Sequence, residues 1–163
     1  MAPIAASIPI GAPALHLTLR DVAGSPVALD DLAGGRSLVL YFMRTSDCVV
    51  CKRHVRQLAI RHDDLRRRGA SVAVVVPDSS QAAGELQASL SLPFPVVSGA
   101  DGDAHAAAGL GRAVFGRLQR SGTILLDPDG TVRHVTSSTL PLGALDEQAL
   151  LDDLDAIPER ASL

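Results

Sequence analysis

Two cysteines stand three residues apart in Cys48-Val49-Val50-Cys51, and they are the only cysteines among 163 residues. An ionised thiol is a nucleophile toward peroxides and disulfides and a ligand for soft metals. On a helix, residues three apart have Cβ atoms about 5–6 Å apart. A disulfide needs Cα atoms roughly 4.4–6.8 Å apart, so this spacing suits reversible bridging with modest adjustment. The flanking charges are mixed: Arg44, Lys52 and Arg53 favour a thiolate, and Asp47 opposes it. Thr45, three residues before Cys48, carries a hydroxyl able to donate to a thiolate or a bound peroxide; it is equally an ordinary loop threonine.

Such chemistry needs a strand to deliver the pair and a helix to orient it. Ser37 to Phe42 (SLVLYF) is a continuous apolar run, the pattern of a strand covered on both faces. After it, Cys51, Val55, Leu58, His62 and Leu65 step by four, three, four and three, which predicts one buried helix face ending near Gly69. Cys48 then lies at the exposed helix start, where free N–H groups and a partial positive charge favour a thiolate. Cys51 lies one turn in, on the buried stripe. That inequality makes Cys48 the attacking thiol and Cys51 the resolving one. The competing use of the pair is half of a zinc site. His54 continues the spacing, but His62 falls on the buried stripe, and one helix cannot wrap four ligands around an ion.

The remaining elements alternate. Leu15 to Leu19 reads as a strand, Gly24-Ser25-Pro26 as a turn, and Val27 to Leu29 as a short returning strand. Asp30 to Leu32 predicts a helical turn stopped at Gly34-Gly35. Ala70 to Val76 is a second all-apolar strand, followed by a helix capped at Asp78 or Ser79 and running to about Leu90. Phe94 to Val97 predicts a short strand and Asp101 to Leu110 an Ala-rich helix. Thr123 to Leu126 and Thr131 to Val135 flank Asp127-Pro128-Asp129-Gly130, a hairpin signal. A last helix spans roughly Leu145 to Ile157. The order predicts an α/β fold, a mixed central sheet with helices on both faces and a parallel β-α-β unit from Leu38 to Val76. We expect a flexible arm over 1–10, one domain over 11–158 and a short tail over 159–163.

Composition narrows the function. At 47% apolar and 20% charged residues the chain can build a core without a disulfide framework. A formal net charge of −3 and only four aromatic residues argue against nucleic acid or an anionic membrane as partner. No apolar run approaches the length of a membrane span. The arginines 53, 56, 61, 66, 67 and 68 read as a solvated helix face. The default compartment is the cytoplasm, where a close cysteine pair is catalytic or metal-binding more often than structural.

With these residues in place, the chain resembles the thioredoxin-like superfamily, and within it the peroxiredoxins of the AhpC/TSA type. The stretches that carry this are GAPALHLTLRDVAGSPVALDDLAGGRSLVLYF and LPFPVVSGADGDAHAAAGLG followed by GTILLDPDGTVRHV, so that the resemblance covers about Gly11 to Ile157. It implies a thioredoxin-like fold with an N-terminal β-hairpin extension. It also implies a thiol peroxidase in which Cys48 attacks a hydroperoxide, Cys51 resolves the sulfenic acid to a disulfide, and thioredoxin or another dithiol reduces it. Neither cofactor nor metal is implied, and a homodimer is compatible with the family. Thr45 matches the family's threonine or serine before the peroxidatic cysteine. The family's arginine has its nearest counterpart in Arg120, one position out of register, with Arg117 as the other candidate; both are alternatively surface arginines. Tyr41 stands where the family places a proline, and Val49-Val50 and Gly122-Thr123 replace thioredoxin's Gly-Pro and cis-proline signatures. Two other readings stay open, a thiol–disulfide oxidoreductase and a redox-sensing or non-enzymatic binding module.

Overall fold

A computed structural model describes residues 8–13, 15–99, 101–113, 118–138 and 143–158. Residues 1–7 of the expected arm, the expected tail and Arg117 lie outside the described residues. Ile8 packs on the core, and Gly11 and Ala12 exchange backbone hydrogen bonds with Val132 at 2.8 and 3.0 Å.

The strands are β1 (Leu19–Arg20), β2 (Pro26–Val27), β3 (Ser37–Phe42), β4 (Ala70–Val76), β5 (Val96–Ser98), β6 (Arg112–Ala113), β7 (Leu118–Gln119), β8 (Ser121–Leu126) and β9 (Val132–Ser138). The helices are α1 (Leu29–Ala33), α2 (Val49–Ile60), α3 (His62–Arg67), α4 (Ser80–Ser89), α5 (Asp103–Ala107) and α6 (Glu147–Asp155). Seven strands form one mixed sheet in the order β2-β1-β5-β4-β3-β8-β9, and β6 pairs with β7 separately. β3 lies inside the sheet, parallel to β4 and antiparallel to β8. The fold is thioredoxin-like α/β, and the expected parallel β-α-β unit is its middle.

Every residue of β3 is buried, as its unbroken apolar run requires. Because side chains alternate across a strand, Val39, Tyr41 and Met43 enter one core with Cys51, Val55, Leu58 and Leu150. Leu38, Leu40 and Phe42 enter the opposite core with Val75, Ala104 and Ile124. Tyr41 is thereby committed to the face on which α2 lies.

Several boundaries differ from the sequence reading. The helix after the cysteines does not run unbroken to Gly69: it breaks at Arg61 and restarts as α3. Asp63 and Asp64 fill the first turn of the new segment and Arg66 and Arg67 its last, the arrangement its dipole favours. The break takes His62 off the fully buried stripe, and its half-exposed ring instead meets Phe94 edge-on, with centroids 5.7 Å apart. Of Leu15 to Leu19 only Leu19 pairs in the sheet, because β1 finds its partners in β2 and at Ser98 alone. Val27 ends β2, and Leu29 starts α1 instead of extending the strand.

Gly122 fixes the approach of β9 to β8. A Cβ there would meet the Thr136 carbonyl oxygen at 2.4 Å, and a backbone atom in a seven-stranded sheet cannot swing aside. Gly122→Ala is expected to cost about 3 kcal/mol, the upper end of overpacking penalties, and to lower Tm by about 10 °C for a chain this long. Thermal unfolding checks it; an unchanged Tm would mean that the two strands separate freely.

Candidate active site

The site lies at the carboxyl end of β3, where the chain leaves the sheet and turns into α2. Five hydrogen bonds hold that turn. Met43 N–H donates to Val75 O at 2.9 Å, and Met43 O accepts from His105 Nε2 at 2.7 Å. Arg44 N–H donates to Cys51 Sγ at 3.4 Å, and Ser46 N–H to Asp78 Oδ2 at 2.7 Å. The turn closes when Cys48 N–H reaches Thr45 O at 3.3 Å.

Cys48 is the N-cap of α2. Its backbone is extended, and its sulfur accepts the Cys51 N–H at 3.3 Å. A cap side chain normally supplies an oxygen for this purpose; here a thiol does so, placing one of the free N–H groups of the helix's first turn on the sulfur. Cys48 is half-buried and Cys51 fully buried, and both are free thiols. Burial, reinforced by the neighbouring Cys48, pushes the Cys51 thiol up to about 12.

Beneath the pair lies a polar contact in an otherwise apolar core. The Tyr41 hydroxyl hydrogen-bonds His54 Nδ1 at 2.7 Å, the rings meeting edge-on at 5.7 Å. Tyr41 and Cys51 lie in the same buried cluster, where each raises or lowers the other's pKa. Desolvation raises the tyrosine pKa well above its usual range, so it is a neutral phenol. Burial, and then Arg53, lower the His54 pKa, so its ring is uncharged at neutral pH.

Thr45 is exposed beside Cys48 and touches it through its carbonyl. Arg120 is not the surface residue of the alternative reading: it is only 6% exposed, immediately before β8. Phe42 pairs with Gly122, so Arg120, two residues before Gly122, lies at the sheet end that carries the turn. Sequence reasoning missed two residues. His54 was weighed only as a metal ligand, and Tyr41 only as a missing proline. Strand alternation at Tyr41 and the three-residue step from Cys51 to His54 were the signals that both face the same core. Among the described residues no group of three or more His, Cys, Asp or Glu is placed to hold a metal ion. No helix among them is long and apolar enough to cross a membrane.

Residues 10–135 match the AhpC/TSA family. A chloroplastic peroxiredoxin Q of Oryza sativa subsp. japonica is 26% identical over 125 residues, covering 77% of this chain. The chain spans 57% of the length of that relative. Among solved structures, a peroxidoxin BcpB from Mycobacterium tuberculosis superposes with a TM-score of 0.79 at 22% identity, over 92% of this chain and 98% of that one. A peroxiredoxin Q from Xanthomonas campestris gives 0.75 at 22% identity, over 90% and 97%. At these identities the superpositions establish the shared fold.

Proposed function

This chain belongs to the AhpC/TSA family, and from that premise we propose that it is a thiol-dependent peroxidase that reduces hydroperoxides. The observation that carries the reading is the half-exposed Cys48 sulfur, capping α2 and accepting the Cys51 N–H at 3.3 Å. A donor already aimed at the sulfur can bond the charge that develops there during reaction without reorganisation.

The Cys48 thiolate attacks the terminal oxygen of the hydroperoxide. The O–O bond breaks, the alcohol or water leaves with a proton, and Cys48 becomes a sulfenic acid. Cys51 then attacks the Cys48 sulfur; the S–O bond breaks, water leaves, and a Cys48–Cys51 disulfide forms. An external dithiol, thioredoxin or another, restores both thiols by exchange. The Thr45 hydroxyl and the Arg120 guanidinium serve as donors to the peroxide oxygens. The support for Arg120 is its burial and its register at the site end of the sheet; for Thr45 it is its place in the Cys48 turn. All the chemistry rests on side chains of one chain, so neither an organic cofactor nor a homodimer is required. The cycle consumes dithiol, which a reducing compartment such as the cytoplasm supplies.

The test is steady-state consumption of hydrogen peroxide and an alkyl hydroperoxide in the presence of thioredoxin and its reductase. The expected result is saturable turnover with one dithiol oxidised per peroxide. Dithiol–disulfide exchange with no peroxide turnover would replace this reading with that of a disulfide oxidoreductase.

A further inference from the structure

Cys51 presents a difficulty that its surroundings resolve. It is fully buried, and a thiol held at about 12 is ionised in only about one molecule in 10⁵ at pH 7. Yet resolution requires its thiolate as nucleophile. Burial is the first cause of that elevation, and it persists when Cys48 is oxidised. A proton acceptor must therefore reach a sulfur that water does not.

We propose that Tyr41 and His54 form a proton relay that activates Cys51. Before the step, the Cys51 S–H donates to the Tyr41 oxygen and the Tyr41 O–H donates to His54 Nδ1. As Cys51 attacks, its proton passes to the Tyr41 oxygen while the tyrosine proton passes to Nδ1. The result is a Cys51 nucleophile, a neutral tyrosine hydrogen-bonded to the sulfur, and an imidazolium that later returns its proton to solvent. In the attack, the Cys51–Cys48 S–S bond forms and the bond from Cys48 to its leaving group breaks, the electron pair departing with that group. No tyrosinate is formed, which matters because burial disfavours it.

The geometry supports this on three counts. The Tyr41–His54 hydrogen bond is 2.7 Å long in a buried core, and Tyr41 and Cys51 pack in the same cluster, where each shifts the other's ionisation. His54, three residues after Cys51, lies on the same helix face, and Tyr41 packs in the cluster that holds Cys51 while its hydroxyl reaches His54. The imidazole is uncharged at neutral pH and hence an acceptor. The charged groups facing it are Arg53 on its own helix and Glu147 from α6, while from β3 only the Tyr41 hydroxyl meets it. Glu147 also pairs with Arg61 at 3.8 Å.

The proposal rests on the preceding reading only in assigning Cys51 as the resolving thiol, and its test uses no peroxide. Reduced protein is mixed with excess chromogenic aromatic disulfide. Cys48 reacts first, in a phase that scales with reagent concentration. Cys51 then expels the aromatic thiolate from Cys48 in a concentration-independent phase, which Cys51→Ser removes. Tyr41→Phe and His54→Asn are expected to slow that second phase by about a hundredfold and to leave the first within about twofold. Asn keeps an acceptor near the Nδ1 position but cannot take the proton, so a purely positional role predicts rescue by His54→Asn. In the wild type the second phase should fall on acidification below pH about 6.5 as His54 protonates, and this inflection should be absent from His54→Asn. An unfolded variant would expose both thiols and accelerate both phases, the opposite sign. A second phase with wild-type rate and pH profile in either variant, or full rescue by Asn, overturns the relay.

Discussion

Cys48→Ser is expected to abolish peroxide reduction, whereas Cys51→Ser is expected to leave the first oxidation intact and stop the cycle after it. The asymmetry follows from the helix start. Cys48 is half-exposed and receives the Cys51 N–H, while the Cys51 side chain is enclosed between α2 and β3. A serine at position 48 keeps the N-cap, since its oxygen accepts the same N–H, so α2 should form normally. The loss is then chemical and should be on the order of a thousandfold or more, as when an enzyme loses its nucleophile. Cys51→Ser retains the Cys51 backbone N–H and the turn. Its Cys48 sulfenic acid has no internal thiol to condense with, so it should persist, react with a sulfenate trap and proceed to sulfinic acid under excess peroxide. Peroxide consumption and intact-protein mass spectrometry separate the two variants. Equal loss of the first oxidation in both would mean that the cysteines act as one unit, and the assigned roles would fall.

Acid should weaken the fold through His105. Its ring is fully buried, edge-on to Phe42 at 5.2 Å, and its Nε2–H donates to Met43 O at 2.7 Å. Among the described residues its Nδ1 has no partner. Protonating Nδ1 would bury a cation whose new N–H meets nothing, and desolvation pushes the histidine down from 6.5 to about 4. Between those values the unfolded chain binds a proton that the folded chain refuses. The stabilisation is therefore complete above pH about 6.5 and disappears as pH falls toward about 4. Two and a half pH units correspond to about 3 kcal/mol. His54 and His62 are also depressed, chiefly by burial, and add loss in the same direction. Asp127 is held down by Arg133 and two backbone N–H groups, so its contribution is lost only at more acid pH, as its carboxylate protonates. Denaturant unfolding at a series of pH values should show the decline. His105→Gln, which keeps a donor for Met43 O but does not titrate here, should flatten most of it. A decline as steep in that variant would place the acid sensitivity elsewhere.

How far the sequence reached depended on whether the signal was local. The two all-apolar strands β3 and β4 were legible because strands covered on both faces leave no choice of pattern. The unequal exposure of Cys48 and Cys51 followed from one helical turn of spacing. The break at Arg61 was not legible, since the stripe Cys51, Val55, Leu58, Leu65 continues across it and only the acidic pair Asp63-Asp64 marks a new helix start. The pairings of His54 and His105 were not legible for a different reason. Each owes its role to a partner distant in the chain, the Tyr41 hydroxyl and the Met43 carbonyl, and no periodicity announces such a pairing. Arg120 lay between: the family resemblance pointed to it one position out of register, and its burial became visible only when β8 was seen beside β3.

The most direct test of Cys48 as a peroxide-reactive thiol is a single-turnover measurement. Fully reduced protein is mixed rapidly with an equimolar amount of hydrogen peroxide, quenched with acid and alkylator, and mapped by mass spectrometry. The account predicts fast loss of both thiols, a sulfenic acid that appears transiently on Cys48 and never on Cys51, and a Cys48–Cys51 disulfide as the end product. Oxidation no faster than that of a free cysteine in solution, or a sulfenic acid that forms first on Cys51, would contradict it.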